Sequence, residues 1–161
     1  MNSPANKIKV AILSDATIDR KVLRSVGPRR LVENLLESGQ VEIYLIHFRK
    51  AENDRLYEKV HEIVIPALPL PFASHFFSFM WFCLTTKHQF DIFHWMVPRP
   101  YPFFWLVPAK RLVVTAHGGS DITAPGPFIL SRKIFNFVMR YFNNHFDAVL
   151  GVSEFGCKEI I

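Results

Sequence analysis

Short apolar, branched runs recur along this chain, and between them the spacing of apolar residues changes to that of a helix. Ile8-Lys9-Val10-Ala11-Ile12-Leu13 is the first run, closed by the turn-forming pair Ser14-Asp15. Residues 41–48, 62–66, 90–95, 111–116 and 147–152 repeat the pattern. A strand wetted on one face alternates apolar with polar. These runs are apolar almost throughout, as parallel strands covered on both faces are. The intervals carry the covering helices. Gly27-Pro28 opens one, with Leu31, Val32, Leu35 and Leu36 at helical spacing and Gly39 as its stop. Others are predicted over 72–86, over 127–145 with Phe128, Phe135, Val138 and Phe142 on one stripe, and from Ser153 onward. Residues 97–108 hold Pro98, Pro100, Pro102 and Pro108, a density that breaks helix and central strand alike, so they are expected to be irregular or extended. The architecture is therefore α/β: a doubly wound, mostly parallel sheet in one domain over residues 1–161, with no repeat or linker. The chain stops inside an apolar, helix-like segment at Ile160-Ile161, and a truncation at this end is expected.

Composition bounds the partners. The net charge of +5 favours anionic ones, such as phosphorylated ligands, acidic lipid or nucleic acid, without choosing among them; of these, nucleic acid is not expected as a partner. Cys83 and Cys157 are far apart, each within an apolar helical pattern and without metal-ligand spacing, so both are read as reduced and structural. The first residues lack the apolar core of a signal peptide, and the helix over 72–86 is shorter than the ~20 residues a bilayer demands. A cytoplasmic protein is expected, with the inner face of the membrane as a second address. The aromatic residues of 72–82 and 101–105 belong by default to the core. A domain of 161 residues has limited interior for so many rings, so an exposed aromatic patch beside basic side chains is also expected, suited to peripheral membrane contact.

Candidate site residues cluster where strands end, because ligands of open α/β sheets bind beyond the carboxyl ends. His117 follows the fifth run, and Gly118-Gly119 after it free the backbone to turn and to approach a ligand. Asp121 can bind a hydroxyl, act as a base, or cap the turn through Ile122. His94 closes the fourth run and should lie beside the end of the fifth if the two strands are neighbours. Gly27 beside a helix N-terminus suits anion approach, although neither G-x-G-x-x-G nor a P-loop is present. The basic residues Arg20, Lys21, Arg24, Arg29 and Arg30 around it are expected to form a solvated face. His94 and His117 have no third ligand at suggestive spacing, so no metal is expected. Ser120 lacks the strained turn of a nucleophilic serine.

Taken in order, Lys9 to Asp15 with the Gly27 turn and the Leu31-Val32-Glu33-Asn34-Leu35 helix, Phe90-Asp91-Ile92-Phe93-His94, residues 113–121, and residues 146–154 resemble the N-terminal part of family-four, GT-B glycosyltransferases. The resemblance implies a Rossmann-like, acceptor-side domain of a retaining enzyme. Such an enzyme moves a sugar from a nucleotide-sugar donor to a glycan or lipid-linked acceptor, with no metal or other cofactor. It implies that Gly27 approaches the donor diphosphate, that His117 touches the sugar near the reacting centre, and that Asp121 shapes the acceptor pocket. The family's donor domain, with its paired glutamates and phosphate-binding Arg and Lys, is absent from these 161 residues, so the chain alone is expected to be inactive without a donor domain or subunit. Two readings compete with this one. The first is a non-catalytic α/β binding module or partner subunit. The second is a nucleotide-dependent oxidoreductase, which the missing glycine-rich fingerprint weakens.

Overall fold

A computed structural model of the chain describes residues 7–14, 26–48, 56–66, 74–96, 104–116 and 145–151. Within them lie six strands and two α-helices: β1 (Ile8–Leu13), α1 (Val26–Glu37), β2 (Val41–His47), β3 (His61–Val64), α2 (Ser74–Thr85), β4 (Phe90–Trp95), β5 (Ala109–Ala116) and β6 (Ala148–Gly151). The strands form one sheet in the order β3-β2-β1-β4-β5-β6. Every pairing is parallel, which the continuous apolar runs predict.

Strand alternation divides the core into two layers. Val10, Ile12, Ile43 and Leu45 point to one face, where Val32 of α1 packs on them with Leu31, Leu35 and Leu36 beside it. Ala11, Leu13, Phe93, Trp95 and Val114 point to the other, where α2 supplies Phe79 and Cys83. Phe79 meets Trp95 edge-on, ring centroids 4.9 Å apart. Burial pushes the Cys83 thiol up to about 12, so this cysteine packs as a small apolar residue. Gly39 ends α1 with φ +67°, a left-handed turn that glycine adopts without strain, and its N–H donates to the Leu36 carbonyl at 3.1 Å.

The strand boundaries differ slightly from expectation, for local reasons. β5 begins at Ala109, directly after Pro108, whose carbonyl accepts from Phe90 N–H at 3.0 Å. Within the proline-rich stretch, Phe104–Leu106 form one turn of 3-10 helix. β6 begins after Asp147, whose carboxylate accepts from Leu112 N–H at 2.7 Å and Arg111 Nη1 at 2.5 Å. Asp91 does the same between β1, β4 and β5, accepting from Lys9 N–H at 2.9 Å and Lys110 Nζ at 2.7 Å. The helices expected over 127–145 and from Ser153 lie outside the described residues, as does Cys157.

Candidate functional site

The order 3-2-1-4-5-6 reverses between β1 and β4, and a crevice for ligand opens at the carboxyl ends of such a pair. The two strands stay joined to their ends, with Met96 N–H donating to the Leu13 carbonyl at 3.0 Å. The polar groups of the interior gather beside this point. Among the described residues six polar side chains are buried: Ser14, Arg29, His47, Ser78, His94 and Thr115. Ser78 belongs to α2. The other five lie on the α1 side of the sheet, near its carboxyl edge.

Each is brought there by backbone periodicity. Ser14 continues the Val10–Ile12 face of β1, and His47 continues the Ile43–Leu45 face of β2. His94 shares the Ile92 face of β4, in register with Ile12 and Val113. Thr115 stands two residues beyond Val113 on β5, the diagonal neighbour of His94. Arg29 sits in the first turn of α1, three residues before Val32, and α1 runs back against the strands, so its first turn lies toward the carboxyl edge.

The polar contacts within this layer are short. His94 Nε2 and Thr115 Oγ1 are 2.6 Å apart, both side chains buried. The hydroxyl donates to the Nδ1–H tautomer of the ring and accepts from the Nε2–H tautomer. His47 Nε2 lies 2.8 Å from Glu62 Oε1. Burial holds the His47 imidazole below its ordinary value of 6.5 even though the Glu62 carboxylate pulls the other way. Arg29 Nε donates to Glu33 Oε1 at 2.8 Å, one turn along the helix. The solvated face expected of the basic cluster is corrected at this residue: Arg29 is 9 % exposed because it shares the inward stripe of α1, whereas Arg30 is exposed. Arg20, Lys21 and Arg24 lie outside the described residues.

Of the site residues read from sequence, the structure places two. His94 lies in β4 next to β5, beside the strand that leads to His117. Gly27 lies within the first turn of α1, which begins at Val26. It is exposed, and a Cβ built there would meet nothing within 4 Å. His117, Gly118, Gly119 and Asp121 lie outside the described residues; β5 ends at Ala116. No three His, Cys, Asp or Glu side chains converge among the described residues in a way that could hold a metal ion. Sequence reasoning missed His47, Ser14 and Thr115. The signal for His47 was present, since it ends the second apolar run as His94 nearly ends the fourth.

Chemically, this layer of imidazole, hydroxyl and guanidinium groups makes a hydrogen-bonding floor under the switch point, suited to hydroxyl-rich or anionic groups. Fold and floor together define a Rossmann-like α/β domain. Residues 26–161 match the family model described as Glycosyltransferase Family 4, and the chain belongs to that family. No curated protein matches it significantly.

Proposed function

We propose that this chain is the acceptor-side domain of a retaining glycosyltransferase, forming one wall of a cleft in which a sugar passes from a nucleotide-sugar donor to a glycan or lipid-linked acceptor. The observation that supports this reading is the buried polar layer of Ser14, Arg29, His47, His94 and Thr115 at the switch point of the sheet. Departure of the nucleotide loads negative charge on a diphosphate, and N–H groups aimed at that charge lower the barrier. The open space around Gly27 leaves its helix N-terminus accessible for that purpose. In the same reading, His117 contacts the sugar near the reacting centre, Gly118 and Gly119 let the backbone come close, and Asp121 shapes the acceptor pocket. His94, held by Thr115, supports them from the neighbouring strand. No metal is required, and the protein works in the cytoplasm.

The domain supplies one wall only, so the isolated chain is expected to turn over no nucleotide sugar. The test is a transfer assay over a panel of nucleotide sugars, run with the purified chain alone and again with a family-four donor-side domain supplied. Transfer is expected only in the second case, and is expected to fall by at least about a hundredfold in His117→Ala. Turnover by the chain alone overturns the half-cleft reading. Activity of the pair that is untouched by His117→Ala overturns the role given to that histidine.

A further inference from the structure

All twelve residues of α2 are uncharged, and its apolar side chains point outward as well as inward. Phe79 and Cys83 face the sheet. Phe77, Trp81 and Leu84, spaced four and three residues apart, form a second stripe that is 42 %, 64 % and 62 % exposed. Trp105 adds to it from the 3-10 turn Phe104–Leu106, which packs against α2 and is itself half exposed at this residue. A helix that is apolar all round needs a second apolar phase on its outer side. Two of the four exposed side chains are tryptophan, whose amphipathic ring suits the headgroup level of a bilayer.

The charges around the stripe indicate which apolar phase. Because α2 runs antiparallel to the strands, its Leu84 end lies at the amino edge of the sheet. Exposed Lys87 follows the helix there. Lys110, its side chain 78 % exposed, shares the Leu112–Val114 side of β5 that faces α2. Two carboxylates on this side are engaged within the fold: Asp91 by Lys110 and by Lys9 N–H, and Glu42 by the Tyr44 hydroxyl and by His61 Nε2 at 3.0 Å. The chain as a whole carries +5. Lysine stems can lie along an apolar surface while their ammonium groups reach the phosphate level.

We infer that the outer face of α2, with Phe77, Trp81, Leu84 and Trp105 at its centre and Lys87 and Lys110 at its rim, docks on the surface of an anionic lipid bilayer. The contact is interfacial, since no helix among the described residues is long and apolar enough to cross a membrane. It lies over the face of the sheet that α2 covers, whereas the polar layer of the candidate site lies on the face that α1 covers.

The test uses the full chain and vesicles of phosphatidylcholine with and without phosphatidylglycerol. Co-sedimentation is expected with the anionic vesicles and not with the neutral ones. Brominated acyl chains are expected to quench Trp81 and Trp105, read separately in Trp105→Phe and Trp81→Phe variants, while buried Trp95 is an unquenched internal reference. Trp81→Ser with Leu84→Ser should lower the partition constant by about tenfold or more, and Lys87→Glu by about fivefold or more. All three positions are exposed, so an unchanged Trp95 near-ultraviolet signal certifies the fold. Equal binding to neutral vesicles overturns the proposal, as does binding with Trp81 unquenched or binding unaffected by the double substitution. A dimer that the double substitution dissociates, with no vesicle binding, assigns the face to a second copy and equally overturns it.

Discussion

Local physics fixes what substitution of His47 and of Gly27 should do. The folded chain holds the His47 imidazole below 6.5, so in mild acid the unfolded chain takes up a proton that the folded one refuses. The stabilisation is present above about pH 6.5 and is lost as the pH falls from there through the lowered folded value. Chemical denaturation across this window should show that slope in the native chain and not in His47→Gln. Gly27 has open space around it and no positive φ, so Gly27→Ala should stabilise the domain by about 0.4–1 kcal/mol through the unfolded state. If the diphosphate lies against its N–H, the added Cβ obstructs that approach, so with a donor-side domain supplied the same variant keeps its raised melting temperature and binds nucleotide sugar more weakly, which calorimetry separates. His94 was legible in the sequence because a histidine near the close of an apolar run is carried to the edge of the sheet. Thr115 was not, because its meeting with His94 depends on β4 and β5 being neighbours in one particular register. Arg29 was concealed by its basic neighbours, and only its helical position relative to Val32 turns it inward.

At the scale of elements, the amino ends of the central strands are tied by two aspartates, Asp91 and Asp147, each bonded to a backbone N–H and a cation on an adjacent strand. Hydrogen bonds from Lys110 and Lys9 hold the Asp91 carboxyl below the usual range, and those from Arg111 and Leu112 do the same for Asp147. A carboxylate lowered in the folded state stabilises above its unfolded value near 4, and that contribution disappears as the pH falls through the lowered folded value. The double variant Asp91→Asn with Asp147→Asn should therefore melt below the native chain at neutral pH, and the two curves should converge in strong acid. All six strands were readable from their apolar runs, and both described helices from their spacing and stops. The limits of β5 and β6 were not, because they depend on contacts between strands that no single run contains. Two of the four segments that carry the resemblance to family four, Phe90–His94 and residues 146–154, contain these aspartates, so in those two the likeness includes residues that assemble the sheet.

For the molecule as a whole, the two faces of the sheet are covered by helices of different character. α1 is amphipathic, with an exposed polar side, and its first turn carries the buried Arg29. α2 carries no Asp, Glu, Lys or Arg and is rich in aromatic residues, with an exposed apolar stripe along its outer side. The fold thus gives the domain two unlike faces: a buried polar layer under α1 and an exposed apolar stripe on α2. The central place of β1 has a further consequence, for biosynthesis. It is translated before the other five described strands, yet one of its two edges is closed by β4, whose Asp91 bonds to Lys9 across 82 residues of sequence. Until that length has been translated, the nascent chain carries a central strand with one edge unpaired, a surface that invites chaperones or misassociation. The sheet is thus completed from its middle late in synthesis, and the order of translation becomes part of how this domain reaches its native state.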